Sequence, residues 1–161
     1  MTFVGQTIRS IIGLMARIAH LLAPPLLRVA LAVPFYKSGL TKWDGFLSLS
    51  PAAAFLFEDQ FKLHVFGNEY ELPAPEILAL LDGIAEIVLP ILLVIGLATR
   101  FSAFGLLGMT AVIQLVVPDG WANFHLPWAA MAMAIIAMGP GALSVDRLIE
   151  RRFSSRARLP A

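Results

Sequence analysis

The chain has 161 residues, of which 58% are hydrophobic and 14% charged, with a formal net charge of +1; a soluble domain carries about 25% charged residues. A core this small cannot hide so much apolar surface from water, whereas lipid needs no such burial, so the composition excludes an ordinary soluble domain and points to a membrane protein. There is no cysteine, so the chain by itself has no disulfide, thiolate metal site, CxxC pair or iron-sulfur cluster, and any redox chemistry has to come from a bound molecule or a partner.

The start of the chain, Met1-Thr2-Phe3-Val4-Gly5, lacks a basic region, and Arg9 and Arg17 interrupt the apolar run that follows, so no cleaved signal peptide is read. Over residues 8–22, Ile8, Ile11, Ile12, Met15, Ile18 and Leu22 recur at helical spacing, with Arg9, Gly13, Arg17 and His20 opposite. This predicts an N-terminal interfacial amphipathic helix that stops at Pro24-Pro25. A fifth span is the rival reading, and it would put Arg9 and Arg17 into lipid.

Four stretches are long and apolar enough to span: 24–42, 77–98, 101–117 and 121–139. The expected fold is therefore all-α, a four-transmembrane-helix bundle within a single membrane domain. Thr99-Arg100 and Asp119-Gly120 leave room only for tight antiparallel hairpins, and Gly96, Gly105 and Gly108 permit close helix contacts. Residues 43–76 form an outer loop, acidic through Asp44, Glu58, Asp59, Glu69, Glu71 and Glu76. Within it, Ser50-Pro51 predicts a short helix and 62–72, around Gly67-Asn68, a hairpin. Residues 144–153 repeat the interfacial pattern, with Val145, Leu148, Ile149 and Phe153 opposite Asp146, Arg147, Glu150, Arg151 and Arg152.

With four spans, Arg9, Arg17, Arg100, Arg147, Arg151, Arg152, Arg156 and Arg158 share one side, and the other side holds only Lys62. The positive-inside rule then places both termini in the cytoplasm of a multi-pass membrane protein.

Arg28, Lys37, Lys42, Asp82 and Glu86 fall inside otherwise apolar stretches, where each costs about 2.5 to 3.5 kcal/mol at a helix centre unless it faces the bundle and pairs. Counted inward from the outer boundary, Lys37 and Asp82 lie at a similar depth of roughly 9 Å, with Glu86 one turn deeper on the same face as Asp82. A Lys37 pair with Asp82 or Glu86 is thus expected. Gln114, Asn123 and His125 reach about the same level, giving a candidate ligand or proton site in the outer half of the bundle made of Lys37, Asp82, Glu86, Gln114, Asn123 and His125. Arg28 is left to snorkel toward cytoplasmic headgroups.

Each of these residues also has a plainer reading. Lys42 beside Trp43 reads as an interfacial anchor, the Lys37, Asp82 and Glu86 group reads equally well as a structural salt bridge, and His125 between Trp121 and Trp128 reads as an interface histidine. His20 and His64 lie outside the bundle, so haem ligation by a histidine pair is not expected. Met109, Met131, Met133 and Met138 read as helix filler rather than copper ligands, and no metal site is assigned. There is no nucleotide loop, zinc motif or nucleophile constellation, no catalytic residue is assigned, and no nucleic-acid partner is implied.

Leu26-Leu27-Arg28, Lys37-Ser38-Gly39-Leu40-Thr41-Lys42, Glu86, Gly96-Leu97-Ala98-Thr99-Arg100 and Gly139-Pro140-Gly141-Ala142-Leu143-Ser144 together resemble the DoxX family of bacterial membrane proteins, over about residues 24 to 149. The resemblance implies a four-helix inner-membrane protein whose relatives accompany redox enzymes, quinone-linked sulfur oxidation, or oxidative and metal stress systems. The insertion from Trp43 to Pro75, with Phe55-Leu56-Phe57-Glu58 and Lys62-Leu63-His64, is similar to members encoded beside peptide-modifying enzymes and small cysteine-rich metal-buffering peptides. Two functions follow as expectations. One is an auxiliary redox or stress-system subunit, not an enzyme by itself, that holds a quinone headgroup or small polar ligand while Glu86 or His125 handles protons. The other is a noncatalytic anchor or scaffold that docks a periplasmic or membrane partner, and either form is compatible with an oligomer.

Overall fold

The computed structural model describes residues 3–156, with side chains over 5–154. Among these residues, four helical segments are long and apolar enough to cross a membrane, covering Gly5–Leu40, Pro75–Ile95, Thr99–Val116 and Pro118–Met138. They form a bundle whose core is Leu31, Ala32, Phe35, Leu93, Ala103, Leu106, Ala132 and Ile135.

The first helix, α1 (Phe3–Leu40), runs unbroken through Pro24, Pro25 and Pro34. This corrects the expectation of a separate interfacial helix over 8–22: that segment is the first half of α1, and its apolar residues from Ile8 to Leu22 are exposed. Proline normally breaks a helix because it lacks an N–H and crowds the carbonyl four residues back, but packed neighbours and local adjustment make it tolerable in membrane helices. Here Pro24 is buried against Gly141, where a Cβ would come within 2.6 Å of the proline ring and where φ is +77°. A helix of 38 residues extends about 57 Å, well beyond a hydrocarbon core of about 30 Å, so its N-terminal turns project past the bundle.

Residues 43–74 cap one end, termed here the loop end. A hairpin of β1 (Trp43–Gly45) and β2 (Ser48–Leu49) leads into α2 (Pro51–Phe55) and a π turn over Leu56–Gln60. The Ser50 side chain accepts from the Ala53 N–H, the N-cap that Ser-Pro predicts. The second hairpin pairs β3 (Lys62–Val65) with β4 (Asn68–Glu71), placing Val65 opposite Asn68 around the expected turn. It is fastened to the bundle by His64, whose Nδ1 lies 3.2 Å from the Leu115 carbonyl oxygen.

Helix α3 (Pro75–Ile95) and helix α4 (Thr99–Val116) join through Gly96 and Ala98, both at positive φ. The fourth span starts irregularly, with a 3-10 turn at Pro118–Gly120 and a π turn over Trp121–His125 before α5 (Leu126–Met138). After it comes α6 (Val145–Arg156). Arg156 contributes no described side chain, and Arg158 lies outside the described residues.

The end opposite the loops, the arginine end, is closed by a latch. Asp146 accepts from the N–H of Ala98 at 2.8 Å and of Thr99 at 2.9 Å, satisfying donors that the start of α4 would otherwise leave unpaired. The Asp146 N–H in turn donates to the Gly96 carbonyl at 2.9 Å. Burial disfavours the Asp146 charge, but the Thr99 and Ala98 N–H groups and the nearby Arg28 outweigh it, holding the carboxyl below its ordinary range. Arg28 is 2% exposed and donates to the Leu143 carbonyl. The expected snorkelling is thus not seen, because Gly96 has no Cβ and leaves the guanidinium space inside the protein.

Candidate functional site

The residues buried along α1 are Pro24, Arg28, Leu31, Ala32, Phe35 and Gly39, and those along α3 are Ala79, Gly83, Glu86, Pro90 and Leu93. Steps of three and four make each set a single stripe, and the two stripes face one another. Gly39 permits the closest approach: a Cβ there would lie 2.9 Å from the Glu86 Cβ and 3.0 Å from its backbone carbon. One turn nearer the loop end, the Trp43 indole lies on Gly83, where a Cβ would come within 2.7 Å of the ring.

Extending the α1 stripe by three residues from Gly39 reaches Lys42, just beyond the helix. The Lys42 N–H donates to the Gly39 carbonyl at 3.2 Å, and the Ser50 N–H donates to the Lys42 carbonyl at 2.8 Å, so the first hairpin pins this residue in place. Its ammonium lies 2.8 Å from Asp82 Oδ2, bonds Glu86 Oε2, and donates to Ser38 Oγ at 3.3 Å. The cation beside the two carboxylates is therefore Lys42, not Lys37. Lys37 is exposed, because two residues from Phe35 and two from Gly39 is about 200° around a helix. Reading Lys42 as an interfacial anchor missed this role; the spacing Arg28, Ala32, Phe35, Gly39 was the signal that could have found it.

Next to this group is a cavity of about 440 Å³, within the range of about 300 to 1,000 Å³ usual for small-molecule sites. Its polar corner is Ser38, Lys42, Asp82 and Glu86; its walls are apolar, from Phe35, Met109, Ile113 and Trp128 among others. Phe57 and Phe61 of the loop line it too, their ring centroids 5.2 Å apart and nearly perpendicular. Phe57 stood in the sequence only as part of the Phe55–Glu58 motif and Phe61 had no role, since nothing local in the acidic loop tells which of its aromatics turns inward.

Gln114 and His125 come together, but elsewhere. His125 is 3% exposed, and its Nδ1 donates to Gln114 Oε1 at 2.6 Å, while Gln114 Nε2 donates to the Pro118 carbonyl at 3.0 Å. Buried Gly120 leaves room for the imidazole, since a Cβ there would lie 2.5 Å from it. This network ties the end of α4 to the start of α5. Neither residue lines the cavity; Trp128 does, with the His125 ring 5.5 Å behind it and Phe35 at 5.0 Å. Asn123 is exposed. The expected polar set thus divides into an ion group on the cavity, a separate hydrogen-bonded pair, and two exposed residues.

Residues 23–119 match the DoxX family. The chain belongs to the DoxX family. An uncharacterized protein of Haemophilus influenzae is 28% identical over 146 residues, covering 82% of this chain and 86% of the relative. No solved structure matches the chain. The DoxX match spans α1 from just before Pro24 through α4 and includes the whole ion group and most of the cavity wall. It ends before His125 and the Gly139–Ser144 turn, so the pair that joins α4 to α5 lies partly outside it.

Proposed function

We propose that this protein is an auxiliary membrane subunit that holds an amphiphilic ligand of the quinone class, with the polar ring against Lys42 and Glu86 and the apolar part along Phe35, Met109 and Trp128. The observation that carries this reading is the cavity: apolar walls converging on one ion group, which suits a ligand with a small hydrogen-bonding head and a hydrocarbon body. Lys42 is a donor for a carbonyl oxygen of the ligand. Two carboxylates around one ammonium leave one formal negative charge, which a single proton cancels, so the group is also equipped to exchange a proton with a bound quinol. No residue here supplies electrons; the oxidant or reductant is a partner enzyme. The resemblance of the 43–75 insertion supports placing that partner in a redox or metal-stress system, and the arginine asymmetry supports an inner-membrane protein with cytoplasmic termini.

Lipid extraction of the purified protein followed by mass spectrometry tests this. A quinone is expected at near-stoichiometric yield from the wild type and at a yield lowered about tenfold, equivalent to roughly 1.4 kcal/mol, from a Trp128→Ala or Lys42→Met variant. Wild-type protein free of quinone, and unable to take up added ubiquinone or menaquinone, would overturn the reading.

A scaffold role is the second reading, favoured by Phe46 and Phe66, which stand almost wholly in the open at the turns of the two hairpins. If these turns dock a partner, Phe46→Ser with Phe66→Ser abolishes co-purification of that partner and leaves quinone content unchanged.

A further inference from the structure

A second groove, of about 700 Å³, lies at the arginine end between the start of α4 and α6, and it has no wall in common with the cavity above. Arg100, Arg147, Arg151, Asp146 and Glu150 all line it. The two acids are already engaged: Asp146 by the Ala98 and Thr99 N–H groups, and Glu150 by Arg147 at 2.6 Å. Arg100 and Arg151 have no ion-pair partner among the described residues. One edge of the groove is apolar. Phe101 and Met138 line it, and Phe104, one turn along α4 from Phe101, is 68% exposed on the surface of a membrane span.

Two free guanidinium groups at the end of a span, joined to exposed aromatic surface that runs into the bilayer, fit a molecule with an anionic head and acyl chains. Guanidinium matches a phosphate through paired N–H donors, and basic recesses between membrane helices take phospholipid headgroups. We propose that this groove is a binding site for one anionic phospholipid, its phosphate on Arg100 and Arg151 and an acyl chain along Phe101 and Phe104. A soluble phosphate would use the arginines but gain nothing from the aromatic edge. This site is independent of the quinone reading.

The test is native mass spectrometry of detergent-purified protein incubated with equal amounts of dioleoylphosphatidylglycerol and dioleoylphosphatidylcholine. A single phosphatidylglycerol is expected to be retained about tenfold over phosphatidylcholine, and excess inorganic phosphate leaves it bound. Arg100→Gln with Arg151→Gln lowers retention to the phosphatidylcholine level at unchanged elution volume, whereas Arg9→Gln with Arg17→Gln, outside the groove, has no effect. Should the double variant fail to purify, Arg151→Gln alone, at an exposed position of α6, is expected to lower retention severalfold. Equal retention of the two lipids, displacement by phosphate, undiminished binding in the Arg100 and Arg151 variants, or an equal loss in the Arg9 and Arg17 variant would each overturn the proposal.

Discussion

Lys42 Nζ sits 2.8 Å from Asp82 Oδ2 while also bonding Glu86, so a residue just past the end of α1 offsets one of the two carboxylate charges on α3. Replacing Lys42 by Met leaves the buried Glu86 carboxylate without its cation and the part-buried Asp82 without its partner. Breaking a buried pair costs about 3 to 5 kcal/mol because the survivor is left unpaired, and Lys42→Met is expected to approach that range. Lys37→Met, at an exposed position, is expected to change stability by less than about 0.5 kcal/mol. Thermal unfolding in detergent distinguishes the two, and a double-mutant cycle of Lys42→Met with Glu86→Gln should be strongly non-additive. A larger loss from Lys37→Met than from Lys42→Met contradicts the pairing.

The bond between His125 and Gln114 closes the α4 to α5 connection and does not reach the cavity. His125→Ala leaves the half-buried Gln114 carbonyl without its donor, which costs about 1 kcal/mol. The variant is expected to melt earlier, and per folded molecule it should retain as much quinone as the wild type. Loss of quinone at undiminished stability would move His125 into the ligand site.

Asp146 gives the fold a pH dependence of known sign. Its carboxyl titrates below the ordinary 3.8 when folded, so its stabilising contribution is complete above the unfolded value and is lost as pH falls through the folded one. Unfolding midpoints from pH 6 downward are expected to fall for the wild type, and Asp146→Asn should be less stable at pH 6 by about 1 kcal/mol, the scale of one lost hydrogen bond, because an amide has a single oxygen to accept from the Ala98 and Thr99 N–H groups. The two proteins converge at the acid end. A constant gap across the whole range would show that the latch does not act through this carboxylate.

The arginine asymmetry predicts topology. A reporter active only in the cytoplasm should give signal when fused after Arg158 and none when placed within Phe66-Gly67-Asn68. The reverse pattern would invert the orientation, and signal at both sites would refute the four-span arrangement.

The sequence by itself determined the parts that depend on local pattern and on the bilayer as solvent. Uninterrupted apolar stretches of spanning length have no alternative to crossing lipid as helices, and Ser50-Pro51 and Gly67-Asn68 set a short helix and a hairpin by turn chemistry alone. Tertiary structure decided what those elements do to one another. Pro24-Pro25 reads locally as a stop, yet α1 runs unbroken through it, with Pro24 packed against Gly141. Depth along the sequence made Lys37, Asp82, Glu86, Gln114, Asn123 and His125 look like one cluster, because counting residues gives height in the membrane but not direction around the helix. The direction came from the stripe that ends in Gly39, whose missing side chain lets α1 and α3 meet at Glu86 and delivers Lys42 to the carboxylates. Which polar residues share a site is thus a question of helix phase and close packing, and both are set only when the helices are in contact.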